Sequence, residues 1–368
     1  MKKQILAGLK IIGAVAALLF VILGLYAAYV FLSYHRIPNM QELAVVQPAE
    51  SGLPVVREPV KVGQEYTAIS YNIGFGAYTP DFSFFMDGGV SSWAKSKDSV
   101  LAAVSGASLL MQEQNPDFMC VQEIDIDGTR TYHVNENEII RNFFSSYYET
   151  EAVNYDSPFL FYPLTQPHGK NKSELAFFSA YPITEGIRRS LPVSDSVNKI
   201  VDYDRCYSVS RVPVENGREI CFYNVHLSAY GMDESVREGQ VGMLREDMEK
   251  ELEKGNYIIC GGDFNHDLKA TEGARITMEW AQPLPRTRLA EGVHFPIDDL
   301  DPEVLANMHD SGRNTDQPYQ EGETLTVTLD GFIVSDNVKV TSYEVLNTGY
   351  RYSDHEPVVM KFVLSGLE

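Results

Sequence analysis

Tyr257-Ile258-Ile259-Cys260-Gly261-Gly262-Asp263-Phe264-Asn265 is a short apolar run that stops at two glycines and a polar pair. The glycines let backbone come close to a neighbour. Asp263 and Asn265 stand two residues apart, so in an extended segment they point to one face. A second stretch, Ser353-Asp354-His355, sets a carboxylate beside an imidazole just ahead of another apolar run. Either cluster alone is common. Two of them, each at a strand edge, indicate a polar site built from distant segments, as in a hydrolase.

Working outward, the pattern mixes strands with a few helices. Strands are expected at Tyr66–Tyr71, Phe118–Val121, Ala176–Ser179, Leu325–Val334 and Val358–Leu364. A hairpin is expected from Tyr207–Val214 and Glu219–Leu227, turning at Asn216-Gly217. Helical spacing of Val100, Val104, Ala107 and Met111 predicts a helix over 92–114, stopped by Asn115-Pro116. Val241, Leu244, Met248 and Leu252 give a second stripe over 233–254, with Gly255 as its C-cap. No solenoid repeat and no low-complexity tract interrupts this pattern. Hairpins with a few helices suggest two packed sheets flanked by helices.

The N-terminus is of another kind. Ile11 to Leu32 is a 22-residue run without charge, and a bilayer span needs about 20 apolar residues. Lys2, Lys3 and Lys10 precede it, while His35 and Arg36 follow. The positive-inside rule places the N-terminus in the cytoplasm and the remainder outside. The apolar core of a cleaved signal is about 7–15 residues and ends in a small-x-small site; this run is longer and no clean site follows, which favours an uncleaved anchor. Residues 1–36 thus read as cytoplasmic N-terminus and transmembrane helix. Residues 37–65, punctuated by Pro38, Pro48, Pro54 and Pro59, read as an extended linker, and 66–368 as one large folded domain.

Net charge is −21, and residues 1–36 contribute four cations and no acid, so the remainder carries −25. Such a surface is poorly suited to non-specific polyanion binding, which needs Lys and Arg to replace counterions. The four cysteines are Cys120, Cys206, Cys221 and Cys260. The first and last lie in apolar runs and read as core residues. A two-residue turn at Asn216-Gly217 would set Cys206 opposite Leu227 and Cys221 opposite Val212. That register predicts no disulfide between Cys206 and Cys221.

Other polar residues stand at strand ends. Glu123 follows an apolar strand, where a carboxylate suits a hard cation such as Mg²⁺; an isolated Glu there is usually just surface. Asn72 ends the first strand and alone reads as a turn residue. Asn224 and His226 share one face of the hairpin's second strand, opposite Cys221, Tyr223, Val225 and Leu227. A lone histidine there is more often structural than catalytic. Asp330-Gly331 interrupts the strand at 325–334, and a buried Asp there calls for a partner, histidine above all; the bland reading is a β-bulge.

Six blocks stand in one order: Ser-Tyr-Asn-Ile (70–73), Val-Gln-Glu (121–123), Asn-Val-His-Leu (224–227), Gly-Gly-Asp-Phe-Asn (261–265), Leu-Asp-Gly-Phe-Ile (329–333) and Ser-Asp-His-Glu-Pro (353–357). In this the chain resembles the endonuclease/exonuclease/phosphatase superfamily, the DNase I-like phosphoesterases, from about Tyr66 to Leu364. The resemblance implies an α/β (α+β) fold, a four-layer α/β/β/α sandwich of two mixed sheets, and phosphoester hydrolysis with Mg²⁺ or Mn²⁺. It implies metal ligation by Glu123, with Asn72 beside it and Asp354 at or near the ion. Asp263 would orient or deprotonate the attacking water, and Asn265 would hold a phosphate oxygen. Asp330 would pair with His355, and His226 would donate to the phosphoryl or leaving group. Whether His355 or Asp263 is the base stays open.

Three departures bear on the substrate. Branches acting at abasic DNA often carry an acid where this chain has Gly74, and lack the histidine present here as His226. Glu174 stands where many relatives have a small residue. The chain therefore looks more like the branch of secreted deoxyribonucleases, sphingomyelinases and phosphoinositide phosphatases. The leading expectation is an exported phosphodiesterase or phosphatase, tethered to the lipid bilayer through residues 11–32, acting on a lipid, nucleotide or nucleic-acid phosphoester, with no obligate protein partner. The alternatives are an extracellular nuclease and a catalytically inactive surface-binding module.

Overall fold

The computed structural model describes residues 2–49, 54–194, 204–228, 234–270 and 281–366. One sheet has seven strands in the order β1 (Gln41–Glu42), β6 (Glu185–Ser190), β7 (Cys206–Pro213), β8 (Glu219–His226), β9 (Tyr257–Asp263), β13 (Asp330–Ser335) and β10 (Val293–His294). The other has six, in the order β14 (Val338–Val345), β15 (Val358–Leu364), β2 (Glu65–Asn72), β3 (Phe118–Gly128), β5 (Asn171–Ser179) and β4 (Tyr148–Asp156). A two-stranded pair, β11 (Gly312–Arg313) and β12 (Thr326–Val327), stands apart. Each large sheet is mixed: β2 runs parallel to β3, and β8 parallel to β9.

The inner faces meet through aromatic rings. Phe222 of β8 packs on Phe118 and Phe177 with ring centres 4.4 and 4.8 Å away. Each such buried ring stabilises by roughly 1.5–3 kcal/mol. Helix α2 (Lys97–Glu113) and the short α3 (Glu136–Phe143) cover the six-stranded sheet. The expected stripe of Val100, Val104, Ala107 and Met111 closes on Tyr71, Met119, Val121 and Phe178. Helix α4 (Glu234–Glu253) covers the seven-stranded sheet through Val241, Leu244 and Met248; the expected first residue, Asp233, lies outside the described residues. A six-residue helix, α5 (Pro302–Asn307), lies between β10 and β11. The layers are therefore α/β/β/α, as expected. Ser96 caps α2 by accepting from the Ser99 amide, which starts it five residues later than its apolar spacing suggested.

Helix α1 (Lys2–Ser33) precedes these layers. It is long and apolar enough to cross a membrane, and its most apolar window is unburied. The described residues of 37–65 are tied to the domain. Arg188, itself buried, donates to the carbonyls of Ile37 and Pro38. Strand β1 pairs with β6, the Val46 amide bonds the Glu149 carbonyl, and Val60 is fully buried beside Val214.

The hairpin register differs from expectation by one residue. Arg211, not Val212, faces Cys221. The connection is a three-residue loop in which Gly217 takes a φ of 81°, and the extra residue shifts the pairing. All four cysteines are free and buried, so the absence of a disulfide holds on a corrected register. The strand expected at 325–334 is two strands, β12 and β13, with Asp330 opening the second.

Glu174 lies in β5 against Val153 and Ile124 and is fully buried. Burial, then the nearby Glu151 and Glu149 carboxylates, push its pKa well above the usual glutamate range. A raised carboxyl favours folding below its unfolded pKa, and that contribution is lost as pH climbs toward the folded value. Glu174→Gln has no such slope. Its melting temperature relative to the parent should therefore rise between about pH 5 and about pH 8; scanning calorimetry at both pH values checks this.

Candidate active site

The two parallel strand pairs end at one edge of the sandwich. Asn72 closes β2, and the parallel register sets it beside Gln122, so Glu123 lies one residue past that end. At Glu123 the β3–β5 pairing slips between Val121 and Ile124, and Glu123 takes a φ of 56°. Such a bulge re-aims a side chain. In the facing sheet, His226 closes β8 and Asp263 closes β9, in direct register. Asp330 starts β13 opposite Asp263. Ser353, Asp354 and His355 approach from the loop before β15.

Asp263 is the most heavily held. It accepts from the Asn72 amide nitrogen at 3.1 Å, from the Asn265 backbone at 2.8 Å and from the Asn265 side chain at 3.2 Å. Asn265 takes a φ of 50°, a left-handed conformation that Asn tolerates. Its amide nitrogen also donates to the Leu227 carbonyl at 2.9 Å. Both donors of that side chain are thus engaged within the protein, so Asn265 anchors Asp263 rather than reaching outward for a phosphate oxygen.

His355 Nδ1 faces Asp330 at 2.7 Å, and Ser311 donates to the same carboxylate oxygen at 2.8 Å. This is the expected histidine partner. With a carboxylate at Nδ1, that nitrogen carries the proton, and Nε2 is directed 3.9 Å from Asp263. Burial opposes charge on His355, but Asp330 and Asp263 together hold its pKa well above the usual value. Asp330 itself is pushed up to about 6 by burial, against the pull of His355. His226 Nε2 lies 3.6 Å from Glu123 and 3.5 Å from Asp263. Burial holds the His226 pKa well below normal, so the ring is neutral at pH 7.

Glu123 is pushed up to about 8 by burial and then by the Asp354 carboxylate. Two carboxylates that oppose each other's charge at the floor of a polar cleft are a fitting donor set for a hard divalent cation. The expected ligand Asn72 is engaged otherwise: its oxygen accepts from Gly74 at 3.0 Å and its nitrogen serves Asp263. Among the described residues, the ligand atoms lying within 4.8 Å of one another belong to Asp263, Asp330 and His355, not to the expected trio. In that cluster Asp330 Oδ2 and His355 Nδ1 are already engaged with each other.

Glu123, His226, Asp263, Asn265, Asp354 and His355 floor a cleft of about 670 Å³. Its walls add residues that sequence reasoning missed: Arg205, Arg313, Tyr78, Phe84 and Met86. Both arginines are buried, and Arg313 is steadied by the Tyr78 and Thr79 carbonyls at 3.2 and 3.0 Å. A lone Arg in a loop reads as surface charge, and nothing local marked either one. Gly74, by contrast, acquires a reason. Its φ is 54°, and a Cβ there would lie 2.8 Å from Asp354 Oδ1 and Ser353 Oγ. The acid found there in other branches has no room here.

Two stacked mixed sheets that deliver carboxylates and imidazoles to a shared edge define a phosphoester-hydrolase type of sandwich. The chain belongs to the Endonuclease/Exonuclease/phosphatase family, whose sequence model matches residues 69–355. Members of that family hydrolyse phosphoesters and generally use divalent metals. Solved structures share the fold at low identity. An endonuclease/exonuclease/phosphatase from Beutenbergia cavernae has a TM-score of 0.55 at 13% identity, over 82% of this chain and 72% of its own. The mannosyl-6-phosphatase Bt3783 of Bacteroides thetaiotaomicron gives 0.51 at 17% identity, over 81% and 100%. The human nocturnin catalytic domain, with a bound sulfate anion, gives 0.50 at 17% identity, over 88% and 98%. No curated protein matches the sequence significantly.

Gly74→Ala should displace Asp354 and destabilise the fold by about 1–3 kcal/mol, the usual cost of overpacking. Thermal unfolding measures the loss, and titration calorimetry with Mg²⁺ should show weaker binding.

Proposed function

We propose that this chain is an exported, membrane-tethered, Mg²⁺-dependent phosphoester hydrolase. The observation that carries the reading is one cleft holding an anchored Asp263, an Asp330–His355 pair and the opposed carboxylates Glu123 and Asp354. Glu123 and Asp354 would hold the metal. Bound there, a divalent cation neutralises phosphoryl charge and orients the ester.

The chain's own residues account for the remainder. Asp263, fixed by Asn72 and Asn265, orients the attacking water. His355 and Asp263 face each other across the reacting position, and this pair takes the water's proton. Neutral His226 donates to a phosphoryl or leaving oxygen. Arg205 and Arg313 offer fixed positive charge to the remaining phosphate oxygens. The water oxygen bonds to phosphorus and the phosphorus–oxygen ester bond breaks; the departing alkoxide takes a proton from solvent, and the proton that the His355–Asp263 pair removed from the water returns to solvent, so protons balance.

Tethering is supported by α1 and by the lysines before its apolar run. A phosphomonoester substrate is supported by the mannosyl-6-phosphatase among the structural relatives. An extracellular nuclease is the second reading, favoured by the arginines and by Tyr78 and Phe84 in the cleft. The net charge opposes it.

The test uses the full chain in detergent, because 37–49 packs on the domain. Substrates are p-nitrophenyl phosphate, bis-p-nitrophenyl phosphate, single-stranded DNA and phosphoinositides. Hydrolysis should require Mg²⁺ and stop with EDTA. Glu123→Gln and His355→Ala should each lower kcat by about 10²–10⁴-fold. Unchanged turnover in either variant would rule out the assignment of that residue, and absence of any hydrolysis would rule out the function.

A further inference from the structure

Two loops, one of which walls the cleft, expose apolar side chains. Met86 and Val90 are 69% and 86% exposed, and Phe161, Tyr162 and Leu164 are 52%, 71% and 84% exposed. The first pair belongs to the loop that puts Phe84 and Met86 into the cleft wall. The other three belong to the connection between β4 and β5. Phe85 packs on Tyr162 with ring centres 5.7 Å apart, so the two loops form one surface.

That surface continues onto α1. Phe161 meets the Tyr26 ring edge-on at 5.1 Å. The Tyr26 hydroxyl donates to the Phe159 carbonyl at 3.1 Å and accepts from the Phe161 amide at 3.2 Å. The Tyr29 hydroxyl accepts from the Phe159 amide at 3.1 Å. Tyr26 lies six residues inside the last residue of the apolar run, Leu32, which is about 9 Å along the helix axis. With α1 across a bilayer, the 159–164 loop falls at the boundary between head groups and acyl chains. Apolar faces of interfacial segments bury about 5–10 Å there.

We infer that the 159–164 and 84–90 loops are a membrane-docking rim, and that the cleft takes its substrate from the bilayer surface as a lipid or lipid-linked phosphoester. This rests on the tethered-hydrolase reading. The contact is apolar rather than electrostatic, since a domain of charge −25 is repelled by anionic lipid. Insertion is therefore insensitive to salt.

The experiment uses the full chain reconstituted in phosphatidylcholine vesicles. The four native cysteines are buried, so Leu164→Cys takes an environment-sensitive fluorophore at one site. Glu344→Cys, exposed on the opposite edge strand β14, is the control. The label at 164 should be quenched by doxyl lipids and shielded from iodide at low and high salt, and the label at 344 should not. Equal iodide access at both sites overturns docking. Shielding of 164 without lipid, together with a dimer mass, also overturns it and assigns the rim to a second copy.

A second arm compares Phe161→Ser/Leu164→Ser with the parent. Turnover of phosphatidylinositol 4-phosphate or sphingomyelin in the vesicles should fall at least tenfold, with bis-p-nitrophenyl phosphate turnover unchanged. An equal fall on both overturns the inference in favour of a structural role. Turnover of the soluble reporter alone overturns the bilayer substrate and leaves the hydrolase reading standing. A lipid-quenched label with no turnover of any ester refutes the hydrolase reading and leaves docking standing.

Discussion

Four buried hydrogen bonds join the sheets where the chemistry lies. Asn72 of the six-stranded sheet reaches Asp263 of the seven-stranded sheet at 3.1 Å, and Gln122 reaches Asn224 at 2.8 Å. Asn224 also donates to the Val121 and Ala176 carbonyls, at 3.2 and 2.9 Å. Farther from the site Thr150 meets Ser210 at 2.7 Å and Arg188 donates to the Val153 carbonyl at 2.8 Å, and between these bonds the sheets meet through rings and aliphatic groups, whose attraction is non-directional. A buried polar group left unpaired costs about 1–3 kcal/mol, so these amides admit one register of sheet over sheet. That register sets the approach of Glu123, from one sheet, to His226 and Asp263, from the other.

The site so placed is locally unfavourable. Glu123, Asp330 and Asp354 are all raised in pKa, with burial as the largest cause. Glu123 and Asn265 both adopt positive φ. Strain and desolvation of this kind persist only where the surroundings over-determine the conformation. Here the surroundings are strand ends already paired on both sides, and glycines that make room. A side chain at Gly262 would run into the Val225 carbonyl of the neighbouring strand, and one at Gly74 into Asp354.

The segment after α1 matters for the same reason of fixed placement. It is hydrogen-bonded to the sheet edge through Arg188, β1 and Val46, so the helix does not hang from a free tether. Tyr26 and Tyr29 add contacts to the β4–β5 connection. The direction in which the cleft opens, relative to α1, is therefore a property of the fold. Prolines alone suggested the opposite, because a Pro-rich segment without periodicity carries no mark of what it will lie against.

Periodicity and punctuation determined many of the elements, the pairing of two sheets with flanking helices and the apolar N-terminal helix, because these follow from local geometry repeated along the chain; the four-layer order came with the family resemblance. The block order also determined which polar residues would gather: Glu123, His226, Asp263, Asp354 and His355 line the cleft, and Asp330 is buried against His355. What each one touches was decided only by tertiary structure. The bulge at Glu123 comes from its pairing with β5, and the one-residue shift of the hairpin from a loop longer than its Asn-Gly suggested. Asn72 and Asn265 prove to hold Asp263. Arg205 and Arg313 enter the cleft from segments without a motif. A side chain's partners depend on which distant strands pack beside it, and no local pattern carries that information.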